Sequence, residues 1–277
     1  MTNMTNMTIV IGKDSNLSNH LIGKLNNSTV VSSRDIMSDV NVLSKYKDQE
    51  INLIFNNFQP AIKLNEMVNA EEYTMNCIGV TSKILNYCLT GNIKMNKIIY
   101  TSTAAVYGDN KCSVETDELK PSSLHASLKA SNEKLIEKFC VDNKIDYTIV
   151  RIFNMYGGND EFSIISKILL AIRKNKELTI INNGNSIRDF IHVQDVADIY
   201  VKLIDIKNVR VLNIGTGIGK SVKNIIKSFK KYNANISTKN IFLNEIKTST
   251  ANIEILSKLL NKKSFIQIED FIKQELS

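Results

Sequence analysis

Cysteine is scarce in these 277 residues, and the four present (Cys77, Cys88, Cys112 and Cys140) lie far apart with no C-x-x-C pair. That spacing argues against a metal knuckle or a disulfide framework and fits a reducing, cytoplasmic setting. Long apolar runs are missing too. None reaches the roughly 18 residues that cross a bilayer, so no membrane partner is expected. The opening MTNMTNMTIV has neither a basic segment nor a small-residue cleavage site, so no secretory signal is expected. Acidic residues are outnumbered, 28 against 35, for a net charge of +7. Yet there is no arginine-rich block and no interleaved aromatic platform, so nucleic acid is not an expected partner. The basic balance suits phosphorylated ligands as well as lysines scattered over exposed helix faces.

What is present centres on residues 97–129. Residues 97–108 (KIIYTSTAAVYG) read as a buried strand that breaks into a small, hydroxyl-rich loop. Residues 121–129 (PSSLHASLK) read as the start of a long helix. His125 and Lys129 are spaced i, i+4 and so share one helical face. With a hydroxyl from Thr103 they form a proton-transfer constellation.

Upstream, residues 8–12 (TIVIG) read as a buried parallel strand, followed by a turn and a helix to about residue 25. Residues 29–33 (TVVSS) and 51–57 (INLIFNN) read as two more strands, and residues 65–89 as a long helix. Downstream, residues 146–154 (DYTIVRIFN) read as a fifth strand. Residues 221–232, 252–260 and 268–276 read as amphipathic helices. His20 reads as a surface residue, and His192 as structural more readily than catalytic.

STAAVYG followed by a helix with x-x-x-Lys resembles the extended short-chain dehydrogenase/reductases, the NAD-dependent epimerase/dehydratase family that acts on nucleotide sugars. Residues 187–197 (IRDFIHVQDVA) and 212–217 (LNIGTG) resemble two further family signatures. The resemblance implies an α/β fold: a Rossmann-type, doubly wound parallel sheet with a smaller C-terminal substrate-binding domain. The dinucleotide-binding domain would cover 1–154, with segments of 187–216 returning to it, and 155–277 would be mainly substrate-binding. It further implies catalysis by Thr103, by the residue at 125 and by Lys129. Gly12, Ser15, Asn16, Leu17, Arg34, Asp39, Val40, Asn56 and Lys129 would hold the cofactor. Thr103, Ala104, Asn154 with Tyr156 and Gly157, and Arg188 would meet the nucleotide sugar, Arg188 at its diphosphate. Asn76 would brace the Thr103 loop. A homodimer through the long helix at 64–89 and the helix that carries Lys129, by way of Leu135 to Phe139, is also implied, with no metal.

Three departures from the family pattern carry information. The catalytic Tyr is His125. Of the Gly-x-x-Gly-x-x-Gly loop only Gly12 survives, with Ser15 and Ser18 in the other places. The residue after the second strand is basic, Arg34, which favours NADP(H) through its 2′-phosphate, NAD(H) remaining possible. An imidazole titrates near pH 6.5 and can donate at neutral pH, but it is shorter than a phenol and faces the charge of Lys129. His125 as the acid, another group such as Thr103 as the proton source, and a site that binds without efficient turnover all stay open. Ala104 and Ala105 stand where family dehydratases carry an acidic pair, which disfavours dehydration. The expectation is an NADPH-dependent reductase of a nucleotide-linked 4-keto-6-deoxysugar in surface polysaccharide biosynthesis. The alternatives are a nucleotide-sugar 4-epimerase and a catalytically impaired dinucleotide-binding homologue.

Overall fold

Six short runs pair into one sheet in a computed structural model that describes residues 6–57, 67, 70–232, 234–260 and 264–277. They are β1 (Met7–Ile11), β2 (Ser28–Val31), β3 (Glu50–Phe55), β4 (Lys94–Thr103), β6 (Asp146–Ile152) and β10 (Val211–Ile214), in the order β10-β6-β4-β3-β1-β2. β1, β3 and β6 are buried almost residue after residue rather than in alternation. That is the pattern of strands covered on both faces, and β1 pairs in parallel with β2 and β3, as β3 does with β4. The order reverses between β1 and β3. In open α/β sheets ligands bind at such a reversal, beyond the carboxyl ends of the strands. Gly12 and Asn56 are the first residues after those two ends.

The chain divides into two units. The first comprises Met1–Val106, Leu119–Arg151 and Ala197–Leu212. The second comprises Tyr107–Glu118, Ile152–Val196 and Asn213–Ser277. The returning segment is thus narrower than the 187–216 expected, and residues 107–118 leave for the second unit.

In the first unit the helices are α1 (Asn16–Ile22), α2 (Ser33–Ser38), α3 (Ala70–Thr74), α4 (Val80–Thr90) and α5 (Leu124–Asn143). A π-type turn over Met75–Gly79 joins α3 to α4. Of the helix expected over 65–89, residues 65, 66, 68 and 69 lie outside the described residues. Ile9, Ile11, Leu53, Phe55, Ile84, Tyr100 and Ile136 form part of the core. Leu135 and Phe139, offered above for a dimer surface, are partly buried and pack against this core. The outward side of α5 carries the ion pairs Lys134–Glu137 and Lys138–Asp142.

α5 starts at Leu124 because Ser123 caps it, its hydroxyl accepting from Ala126 N at 3.2 Å. Its buried face is unusual in being polar at three positions: Lys129, Asn132 and Glu133. Each has a partner, as a buried polar group must. Asn132 donates to Thr81 Oγ1 at 2.9 Å. Glu133 pairs with Arg151 of β6, whose Nη2 donates at 2.7 Å and Nε to both carboxylate oxygens at 3.2 Å. The Ser102 hydroxyl of β4 donates to the same carboxylate. Ser102, Glu133 and Arg151 thus lock the end of β4 to α5 and β6.

The second unit has a sheet of order β11-β9-β13-β5, from β5 (Asn110–Ser113), β9 (Ile187–His192), β11 (Gly219–Ser221) and β13 (Thr248–Ala251), with β7 (Asn154–Tyr156) paired to β9. A second, parallel pair joins β8 (Leu178–Ile181) to β12 (Thr238–Ile241). Its core gathers Tyr156, Ile168, Phe190 and Ile272 with Ile165 of α6 (Ile164–Arg173) and Phe229 of α8 (Val222–Lys231).

Removing one member of a buried ion pair strands the other charge, whereas an exposed pair is worth little. Arg151→Ala should therefore lower unfolding free energy by about 3–5 kcal/mol in chemical denaturation. Lys138→Ala should cost less than about 1 kcal/mol. Equal costs would contradict the central place given to the Glu133 pair.

Candidate functional site

At the carboxyl end of β4 the backbone is held from three sides. Lys129 Nζ donates to Thr101 O at 2.8 Å. Thr101 Oγ1 lies 2.7 Å from the hydroxyl of Tyr200, and Ser102 is locked by Glu133. Thr103 ends the strand, partly open, and its hydroxyl accepts from Ala105 N at 3.2 Å. Lys129 is itself 2% exposed, with its ammonium 5.0 Å from the centre of the Tyr100 ring. Burial pushes the Lys129 pKa down, with Cys77 and the Glu133 carboxylate pulling it back up.

His125 stands one turn before Lys129 on the same helix and is partly buried. Burial, and then the Lys129 charge, hold its pKa down at about 4. At pH 7 only about one imidazole in a thousand then carries a proton. Its resting state is the neutral ring, which can accept a proton.

A second cluster sits where the strand order reverses. Gly12 has φ +117°, and a Cβ there would come within 2.3 Å of Asn56 O. Gly12 N donates to Val31 O at 2.9 Å, and Asn56 N to Ile11 O at 2.8 Å. The Asn56 side-chain amide donates to Ser15 and Ser18. The Oδ1 atoms of Asn56 and Asn57 are buried with no hydrogen-bond partner. A turn without room for a side chain, flanked by orphaned acceptors, fits the phosphate and ribose end of a dinucleotide. Asn16 follows the turn, and Leu17 is fully buried, so it can meet a ligand only through its backbone.

After β2, Arg34 is exposed on the first turn of α2, and its guanidinium has no ion-pair partner among the described residues. Asp39 caps a 3-10 turn by accepting from Asn41 N at 2.9 Å, and Val40 packs on the core. Asn57 Nδ2 donates to Asn76 O at 2.8 Å, so Asn76 engages here through its backbone. Asn132 ties the helix of Lys129 to Cys77 O and Thr81 Oγ1 rather than to the Thr103 loop. Ala104 is 4% exposed and offers no side chain to a ligand.

In the second unit, Arg188 Nη2 donates to Ile246 O at 2.5 Å and pairs with Glu245 at 3.3 Å, while Nη1 donates to Ile187 O at 2.9 Å. Asn154 Nδ2 donates to Asp189 O at 3.3 Å. Asp189 is buried and accepts from Thr216 N and Gly217 N, each at 2.8 Å, and from Thr216 Oγ1 at 2.6 Å. Tyr156, expected to face the sugar nucleotide, is core instead: it is fully buried and donates to Ile266 O at 3.1 Å. A Cβ on Gly157 would meet the His192 ring at 2.2 Å. His192 is structural, with Nδ1 accepting from Gln194 N at 3.2 Å. His20 bonds Asn16 O through Nδ1 at 2.9 Å, far from β4 in sequence.

The first unit therefore brings Lys129 to the β4 end, with His125 on the same helix, and Gly12 to Asn56 and Ser15. Sequence reasoning missed Glu133, Arg151 and Tyr200. The signal for Glu133 was its spacing, since 125, 129 and 133 fall on one face of α5. Among the described residues no cluster of His, Cys, Asp and Glu could hold a metal, and no helix is long and apolar enough to cross a membrane.

The model of the NAD dependent epimerase/dehydratase family matches residues 7–215. A GDP-6-deoxy-D-talose 4-dehydrogenase of Aggregatibacter actinomycetemcomitans is 33% identical over 158 residues, 55% of this chain and 52% of that one. An ADP-L-glycero-D-manno-heptose-6-epimerase of Brachyspira hyodysenteriae is 30% identical over 176 residues, 60% and 52% of the two chains. The chain thus spans about half the length of these curated relatives. The solved UDP-N-acetylglucosamine 4-epimerase of Methanobrevibacter ruminantium M1 superposes with a TM-score of 0.82 at 21% identity, covering 98% of this chain and 97% of that one. That likeness shares the fold.

A histidine whose folded pKa lies below its unfolded value of 6.5 takes up its proton more readily unfolded. Its contribution to stability is present above 6.5 and is lost as pH falls from there through about 4. The His125 ring signal in an NMR titration should have its midpoint near 4, and Lys129→Met should move that midpoint upward. A midpoint near 6.5 in the unaltered protein would contradict the electrostatics described here.

Proposed function

Since this chain belongs to the NAD dependent epimerase/dehydratase family, we propose that it is an enzyme that epimerises a nucleotide-linked sugar at C4. The observation that carries the reading is the neutral His125 one turn from a buried Lys129 that grips the strand ending in Thr103. When bound, the nicotinamide supplies a reversible hydride acceptor. The Thr103 hydroxyl hydrogen-bonds the sugar oxygen that reacts. His125 would take the proton from that oxygen when the carbon is oxidised and would return it when the carbon is reduced again. The neutral imidazole suits the first step, and the imidazolium it becomes is a strong acid for the second. Lys129 would hold the nicotinamide ribose and add positive charge near the reacting oxygen. Gly12 would let the loop approach the cofactor's diphosphate. Neither Ala104 nor Ala105 can transfer a proton, which speaks against dehydration. A homodimer in which exposed Leu89 and Val141 meet a second copy belongs to the same reading.

One observation favours a second reading. Arg34, whose guanidinium has no ion-pair partner among the described residues, follows β2, where a 2′-phosphate would lie, and NADPH suits net reduction of a 4-keto-6-deoxysugar nucleotide. A panel of nucleotide sugars separates the two. Interconversion of C4 epimers with no net change in reduced cofactor supports the epimerase. Net oxidation of NADPH by a freshly made 4-keto sugar nucleotide supports the reductase. Tight cofactor binding without turnover on any sugar nucleotide overturns both.

His125→Phe should lower turnover at least about tenfold and leave cofactor affinity nearly unchanged. Unchanged turnover would remove His125 from the chemistry. Arg34→Ala should weaken NADPH more than NADH in a binding titration, and equal weakening would refute a 2′-phosphate contact.

A further inference from the structure

The serines that replace two loop glycines are tied to the sheet by one side chain. Asn56 ends the β3 segment and is fully buried. Its amide nitrogen carries two protons. One goes to Ser15 Oγ at 3.0 Å and the other to Ser18 Oγ at 2.8 Å. A serine hydroxyl has a single proton, and its oxygen accepts through lone pairs. With that oxygen accepting from Asn56, each hydroxyl must turn its own proton away from the amide. Ser18 is fully buried, whereas Ser15 is partly open. The Ser15 proton is therefore directed outward at the turn after β1, where the strand order reverses. The turn cannot reshape easily, because Gly12 already sits against the Asn56 carbonyl. Asn56 Oδ1 remains buried without a partner.

We infer that Asn56 is a positioning residue that presents the Ser15 hydroxyl as a donor to the dinucleotide's diphosphate, standing in for the backbone donors of a glycine-rich loop. The inference rests on the cofactor reading above. A hydroxyl donating to a phosphate oxygen makes a charge-assisted bond, roughly twice as strong as a neutral one. Ser15 touches the ligand, and Asn56 acts through Ser15. An aspartate at 56 would reverse the arrangement. It has no proton to give, so both serines would donate to it and the Ser15 proton would turn inward.

Calorimetric titration of NADPH and of ADP-ribose, which keeps the diphosphate and lacks the nicotinamide, tests this on the full chain. Ser15→Ala should weaken both ligands about tenfold. Asn56→Asp should weaken them at least as much, and the double variant should be no worse than Asn56→Asp by more than about twofold. That non-additivity is what a merely structural role would not produce, and melting temperatures recorded in parallel give the structural cost separately. If Asn56→Asp does not fold, Asn56→Ala replaces it: the Ser15 hydroxyl is then no longer oriented, and the same loss of additivity against Ser15→Ala is expected. Wild-type binding with an unaffected Ser15→Ala variant, or with fully additive losses, overturns the inference alone. A wild-type protein that binds neither NADPH, NADH nor ADP-ribose overturns the cofactor reading and this inference with it.

Discussion

The buried pair between Glu133 and Arg151 is the interaction on which the rest depends. A carboxylate at 1% exposure is tolerable only with a partner of high geometric quality, and the guanidinium fork supplies it. That pair leaves the carboxylate able to accept from Ser102 as well, so three elements meet at one group. The end of β4 is thereby fixed against α5. Lys129, one turn earlier, grips Thr101 from the same helix. The position of Thr103 is a consequence of packing rather than of its own contacts.

The same burial that fixes the helix face sets its chemistry. Desolvation disfavours charge at His125 and at Lys129, and the Lys129 charge adds to the penalty at His125. The imidazole gives way first, because its proton is held less tightly to begin with. A tyrosine at this place would need a nearby cation to ionise, whereas the histidine reaches its base form unaided. A histidine that rests neutral beside a buried lysine is still a group that can take up a proton.

Much of this architecture was legible in the chain. β-branched runs such as IVI and NLIF gave parallel strands, and the i, i+4 spacing of His125 and Lys129 put both on one face. Legibility failed where polar residues do core work. Lys129, Asn132 and Glu133 break the apolar period of α5, so its buried side could not be read from hydrophobicity. Leu135 and Phe139 looked equally suited to a core or a partner surface, and they pack against the core while staying partly open. Tyr156 was read as a ligand contact, but its ring fills a space against His192 and Phe271. The Asn56–Asn57 pair read only as a departure from a pattern, since its meaning lies in serines about 40 residues away in the chain.

A crystal structure of the protein with NADH tests the central claim most directly. The account predicts the diphosphate at the Gly12–Ser15 turn. It also predicts Lys129 Nζ within about 3 Å of a nicotinamide ribose hydroxyl while still donating to Thr101 O. A dinucleotide bound elsewhere, or a Lys129 that touches Thr101 O and no part of the cofactor, would contradict it.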